Sequence, residues 1–237
     1  MADEIPRQLA ENLAAFRTAQ AVADYSFYRL FAEELYLYPK FYKPGDTVLD
    51  LACGLGRTTL LLHEMGLHVR GVDRSDVFIE TAKRRLPYLD LRVGSYEQIE
   101  EKDCSYDHVL ISFNGIDFAY PESQREVALR ECLRVLKPGG TFIYSSHNLK
   151  SMHWYSPHYR DRLRWKLSYS VPAFREWAYV KEEGIHTFYA SPEFVIRQTE
   201  ALGAKLVEKR ELANRRFRNL VKRFAPYIYY VFEKPRD

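Results

Sequence analysis

Between Val48 and Gly56 the chain reads VLDLACGLG. Asp50 lies in an apolar run that leads into a loop carrying Gly54 and Gly56. Glycines let a backbone adopt positive φ and come close to a ligand. The RTTLLLHEM segment behind the loop reads as a helix, whose N-terminus would point at the same place. A dinucleotide fingerprint needs a third glycine in the pattern G-x-G-x-x-G. Arg57, Thr58 and Thr59 follow Gly56 instead, and a pyrophosphate would meet Asp50 as a like charge. A nucleoside with no phosphate and a positive group suits these residues better, and S-adenosylmethionine has both properties. Asp73 closes HVRGVD about 20 residues on, where a carboxylate can accept from ribose hydroxyls. Asp73 supports nucleoside binding whichever cofactor is bound.

The elements that position these residues follow from periodicity. DTVLDLA, LHVRGVD, LDLRVG, YDHVLISF and TFIYSSH read as strands, and RTTLLLHEMG, SDVFIETAKRRL and ESQREVALRECLRVL as helices between them. Ser75 is the expected N-cap of the second helix, and LKPGG stops the third. Strand and helix alternating in this way give a parallel sheet covered on both faces. Ahead of it, apolar residues recur every three or four positions from about 7 to 38, which predicts helix. Behind it, SPEFVIRQTEALG predicts a helix with Ser191 as cap and Pro192 at its first position. AKLVEKREL and PYIYYVFEK read as strands joined as a hairpin through the basic segment Asn214–Arg223. Residues 149–185 show no period but carry Trp154, Tyr155, Tyr159, Trp165, Tyr169, Phe174, Trp177 and Tyr179, which predicts an insertion capping the ligand edge. The expected organisation is a helical segment over 1–44, a core over 45–148 and 186–237, and the 149–185 insertion.

At 237 residues the chain suits one domain with an insertion. A net charge of +3 is too small to argue for nucleic acid by itself. Cys53, Cys104 and Cys132 are odd in number and far apart, so neither a disulfide framework nor a zinc cluster is expected, and a cytoplasmic setting fits. No secretion signal or membrane-spanning run is visible. Aromatics reach 15%, with 18 Tyr, a surplus that must line a core or a pocket.

VLDLACGLGRTTLLL, GVDRSDVFIETAKRR, YDHVLISF and LRVLKPGGTFIYSS, in that order, resemble class I S-adenosylmethionine-dependent methyltransferases over residues from about 45 to 148. SPEFVIRQTEALGAKLVEKREL and the last strand are similar to the end of the same family. Ala52 stands where the family pattern often has its first glycine. The resemblance implies a doubly wound, seven-stranded, mostly parallel α/β sheet whose last strand is antiparallel. It implies S-adenosylmethionine as cofactor and S-adenosylhomocysteine as product. Asp50 and the backbone of Ala52, Cys53, Gly54 and Gly56 would lie near the methionine moiety, and Asp73 on the ribose. Arg74 and Ser75 would flank the adenine, and Gly94, Ser95 and Tyr96 its edge, although Ser95 stands where the family often has an acid. Phe113 and Asn114 would sit beside the transferable methyl, and Tyr25 or Tyr28 would cover the cofactor.

A hydroxyl acceptor benefits from a base. His147, ending the fifth strand, is the first candidate; a hydrogen-bonded strand-end histidine is the plain alternative. His186 lies where the chain returns from the insertion, and Asp117 in SFNGID could orient an acceptor amine. Asn114 and Asp117 alone make no metal site. The Asn/Asp-Pro-Pro-aromatic motif of enzymes that methylate base or glutamine nitrogens is absent, as is a paired-glutamate loop. The expected function is O- or N-methylation of a small molecule, such as a sugar or secondary metabolite, by a monomer or homodimer. The rival is methylation of tRNA or rRNA through the basic 205–223 segment, where Arg210, Arg215, Arg216, Arg218, Lys222 and Arg223 accompany Phe217 and Phe224.

Overall fold

A computed structural model describes residues 7–149, 176–182, 184–211 and 225–236. Strands β1 (Thr47–Leu51), β2 (His68–Asp73), β3 (Asp90–Val93), β4 (Tyr106–Ile111) and β5 (Leu136–Asn148) lie in the parallel order β3-β2-β1-β4-β5. Helices α4 (Arg57–Glu64), α5 (Asp76–Arg85) and α6 (Glu122–Val135) make the crossovers. Buried on both faces, such strands must be apolar throughout. In β1, Leu49 and Leu51 enter one core with Val109, Phe142 and Tyr144, while Val48 enters the other with Leu62 and Tyr229.

Strand β9 (Tyr227–Glu233) runs antiparallel beside β5, and β8 (Lys205–Glu211) antiparallel beside β9. These seven strands form the expected sheet, and its reversed strand is the last in sequence. Helix α7 (Pro192–Glu200) starts as expected, with Ser191 accepting from the Phe194 amide.

LKPGG does more than stop a helix. Tyr106 pairs with Leu136, but His108 pairs with Thr141, so the segment absorbs a register shift inside β5. A side chain at Gly140 would meet the Asp107 carbonyl at 2.6 Å, which requires glycine there.

The N-terminal stretch is helical as expected, in three pieces, α1 (Arg7–Ala15), α2 (Ala19–Ser26) and α3 (Ala32–Phe41). Thr18 caps α2 by accepting from the Ala21 amide, and Glu34 caps α3 by accepting from the Phe31 amide. The 3–4 periodicity runs through both breaks although several of its members, Phe27 and Leu35 among them, are exposed. The sheet also has two further strands, β6 (Trp177–Glu182) and β7 (Ile185–Ala190), an antiparallel hairpin. The end of the presumed insertion is thus regular sheet. His147 pairs with Tyr227 of β9 and with Tyr189 of β7, so these strands flank β5 on opposite edges. The β7 edge is the one β4 occupies, up to Ile111 opposite Tyr144. The hairpin therefore extends the sheet just past the end of β4, where a ligand would sit. The rest of the aromatic run, residues 150–175, and the basic segment 212–224 lie outside the described residues.

Candidate cofactor and acceptor site

A pocket of about 1020 Å³, its open mouth included, lies past the carboxyl ends of β1, β2 and β4. The Ala52–Leu55 loop forms its floor, Asp73–Ser75 with Gly94 and Tyr96 one end, and Ser112, Phe113 and Arg57 the other. Ala52, Gly54 and Gly56 all adopt left-handed φ, at 52°, 56° and 81°. Gly54 donates its amide to Asp73 Oδ2 and Ser75 donates its amide to Asp73 Oδ1, both at 2.8 Å. Asp73 thereby fixes the loop to the tip of β2 while lining the pocket. Burial pushes its carboxyl up, and the Ser75 and Gly54 amides hold it back.

Ala52 in the glycine position has a structural partner. A side chain at Gly115 would meet the Ala52 Cβ at 2.5 Å. The short 3₁₀ turn over Gly115–Phe118, read from sequence only as a loop, can approach β1 because residue 115 has no Cβ.

Tyr25, Ala52, Cys53, Gly54, Asp73, Arg74, Ser75, Gly94, Tyr96 and Phe113 all line this pocket. The remaining expected contacts do not. Asp50 is fully buried beneath the loop, where Oδ2 accepts from Thr58 and Thr59 at 2.8 and 2.6 Å. Burial raises its carboxyl to about 6, with the two hydroxyls and Arg57 opposing. It anchors the first turn of α4 from below through the two threonine hydroxyls and does not line the pocket. Gly56 also lies off the pocket and serves as the left-handed N-cap of α4. Ser95 turns to Arg74, accepting from Nη2 at 2.6 Å; Glu97 joins them as ion partner of Arg74. Asn114 is buried, with its amide bonded to Ser145 Oγ, and Phe113 presents its ring to the pocket in its place.

The candidate acceptor residues separate into one pair and one clasp. Asp117 is no solvated loop carboxylate: it is fully buried, as is Arg125, which donates to Oδ1 at 2.7 Å. Asp117 Oδ1 also accepts from Ser146, while Oδ2 takes the His147 amide and contacts His147 Nδ1 at 2.7 Å. With the carboxylate accepting, Nδ1 carries the proton and Nε2 is left as the acceptor. Nε2 has no hydrogen bond to a described residue. The His147 ring lies 5.1 Å from Tyr227, which lies 6.2 Å from Phe113 at the pocket. His186 is elsewhere engaged. Its Nε2 meets Glu11 at 2.9 Å, and its backbone bonds Asn12 in both directions, at 2.7 and 2.9 Å. It clasps β7 to α1 and is placed for no transfer step.

Sequence reasoning missed two contributors. Leu9, Leu13 and Phe16 of the α1 region line the pocket beside Phe78 and Phe118; their shared helical face was the available signal. Arg57 lines the opposite end and forks onto the buried Glu34, with Nη1–Oε2 at 2.5 Å and Nη2–Oε1 at 2.7 Å. Among described residues no cluster suited to a metal ion occurs, and no helix is long and apolar enough to cross a membrane. Of the basic run, only Arg210 is described; it packs on the Tyr36 ring at 3.7 Å and pairs with Glu208.

Residues 48–140 match a family model described as a methyltransferase domain. A probable S-adenosylmethionine-dependent methyltransferase of Mycolicibacterium smegmatis is 29% identical over 136 residues, 57% of this chain and 51% of that protein. A demethylmenaquinone methyltransferase of Renibacterium salmoninarum is 37% identical over 100 residues, 42% of this chain and 40% of that one. The chain thus spans about half the length of the curated relatives it matches. Among solved structures, a methyltransferase from Methanosarcina mazei superposes with TM-score 0.68 at 16% identity, covering 89% of this chain and all of that one. The Burkholderia thailandensis 1,6-didemethyltoxoflavin-N1-methyltransferase, solved with S-adenosylhomocysteine, superposes with TM-score 0.66 at 14% identity, covering 96% and 88%. These two share the fold. With the matched domain, this makes the chain similar to S-adenosylmethionine-dependent methyltransferases over residues 48–140.

Proposed function

We propose that the protein methylates a hydroxyl, or an N–H of comparable acidity, on a small molecule, with His147 as the base. The His147–Asp117 pair carries this reading: a buried carboxylate orients an imidazole whose second nitrogen is left to accept a proton. Relatives whose printed names state an acceptor act on small molecules, demethylmenaquinone and didemethyltoxoflavin, which supports that acceptor class.

The pocket fits the cofactor on its own chemistry. A loop bent by left-handed residues allows close backbone approach, and Asp73 supplies acceptors for ribose hydroxyls. Gly94 and Tyr96 bound the adenine end. Asp50 faces away, so the rings of Tyr25, Tyr28 and Phe113 provide the favourable surface for a sulfonium. Bound S-adenosylmethionine supplies an electrophilic methyl carbon for in-line displacement. Phe16, Tyr25, Phe78 and Phe118 keep water from that carbon. The acceptor lies between Phe113 and His147, over Tyr227. With the cofactor bound, Nε2 of His147 would take the proton that the acceptor loses on methylation. Asp117 holds the ring's tautomer and offsets the charge that develops on it, while Arg125 and Ser146 hold Asp117.

His147→Asn, assayed by methyl uptake against a panel of hydroxylated and N–H small molecules, should lower kcat by about 10² to 10⁴. Cofactor affinity by calorimetry should stay unchanged. A loss below about threefold would remove His147 as base and leave proximity as the mechanism.

A further inference from the structure

Resting on His147 as the base, the residues behind it narrow the acceptor. Asp117 and Arg125 are both fully buried. Arg125 Nη1 donates to Asp117 Oδ1 at 2.7 Å, and Arg125 Nε donates to Gln198 Oε1 at 3.2 Å. Arg125 Nη2 is buried with no partner among the described residues. The Phe188 and Tyr144 rings stand 4.6 and 6.0 Å from the guanidinium, which is packed against rings rather than hydrated. Asp117 Oδ1 also accepts from Ser146 Oγ at 2.8 Å, and Oδ2 from the His147 amide and from His147 Nδ1, both at 2.7 Å. A carboxylate has about four lone-pair sites, and these donors fill them.

Arg125 therefore matters to the base. Opposite charges in contact and out of water cancel much of each other's field at a third group. A proton arriving at Nε2 meets an ion pair, not a lone carboxylate. Asp117 fixes the ring, but it lends the developing charge less than an uncompensated carboxylate would. Efficient proton transfer then needs an acceptor proton whose acidity lies close to that of a plain imidazolium. The second restriction is shape. The His147 ring lies 4.7 Å from Tyr189 and 5.1 Å from Tyr227, and Tyr227 lies 6.2 Å from Phe113. Aromatic rings thus mark the route from the pocket to the base, and their faces pack best against a flat group.

We infer that the acceptor is a planar, weakly acidic group, a phenol, an enol or a heteroaromatic N–H, and not a sugar or other aliphatic alcohol. Arg125 is a positioning residue that enforces this choice through Asp117. The acceptor proton passes to Nε2, and the electron pair it leaves stays on the acceptor oxygen or nitrogen.

4-Nitrophenol, whose phenolate absorbs apart from the neutral phenol, reads that proton without turnover. Bound to the full chain with S-adenosylhomocysteine, below the pH at which it ionises in water, it should show the phenolate band. His147→Asn should bind the phenol and lose the band. Arg125→Met leaves Asp117 uncompensated and should bring out the phenolate band of the less acidic 4-cyanophenol, which stays neutral on wild type. Arg125→Lys should behave as wild type. An Arg125 that only braces the fold would leave these bands where they are, which would overturn its role. In methyl uptake, wild type should favour phenols over cyclohexanol and glucose by at least about 10²-fold. Cyclohexanol or glucose methylated within about tenfold of the phenols overturns the inference and leaves His147 as base. A phenolate band and a phenol rate that both survive His147→Asn remove the base, and the inference with it. The wild-type band and the acceptor ranking decide the matter even where Arg125→Met does not fold.

Discussion

At the nucleoside end of the pocket, Asp73 bonds Ser75 two residues on and Gly54 nineteen residues back. At the opposite end, Glu34 bonds Tyr229 across 195 residues, and the acceptor-side wall is held by His186–Asn12 across 174. The first arrangement is made within one strand–loop–helix unit and its neighbour. The second needs α3, β4 and β9, or α1 and β7, to be brought together first. A nucleoside site can therefore travel intact with a short sequence pattern. The opposite end and the proposed acceptor side depend on where the rest of the chain comes to lie, which suits the acceptor side to vary while the cofactor stays the same.

This contrast can be broken at three places besides His147. The largest effect is expected at Asp73. Asp73→Ala removes the ribose acceptors and releases the Gly54 amide, and should weaken S-adenosylhomocysteine binding by at least about 10²-fold in calorimetry. Unchanged affinity would place the nucleoside elsewhere. Asp50 comes next, because it belongs to the same local unit yet lies off the pocket. Its folded carboxyl titrates near 6, while an unfolded one titrates near 3.8. Between those values the folded chain keeps a proton that the unfolded chain has released, so stability falls as pH rises through this window. Asp50→Asn should abolish that fall. Relative to wild type the variant gains up to about 3 kcal/mol from pH 4 to 7 in urea melts, with little change in cofactor affinity. A parallel pH dependence of the two proteins would refute it. The smallest effect is at the seam between the halves. Gly115→Ala should cost about 1–3 kcal/mol by overpacking against Ala52, and Ala52→Gly in the same chain should recover most of it. Additive losses in the double variant would show that the two positions are not in contact.

The tyrosine surplus illustrates the same division. Tyr38, Tyr42, Tyr144, Tyr229 and Tyr230 are core, Tyr25 and Tyr28 line the pocket, and Tyr96 does both. Composition announced that the rings had work to do but could not assign them. Asp50 is a sharper case. Its place before the glycine loop suggested a partner for a cation, yet strand alternation sends it beneath the loop, onto Thr58 and Thr59. In β1 the alternation of Val48, Leu49, Asp50 and Leu51 already contained that direction. The burial of Asp117 was not legible in the sequence, because the 3₁₀ turn that buries it has no strong sequence mark.

By itself, the sequence determined the order of strands and helices, the left-handed loop, Asp73 at the tip of β2 and the Ser75 and Ser191 caps, while the reversed last strand came from the family resemblance. All but the last rest on short-range patterns: alternation, capping and glycine freedom. Only the tertiary structure decided that Glu34 meets Arg57, that Asp117 sits under His147, that His186 is a clasp and that β6 and β7 extend the sheet past β4. Each of those depends on packing between segments far apart in the chain, where a contact is stabilised by burial and carries no local signature.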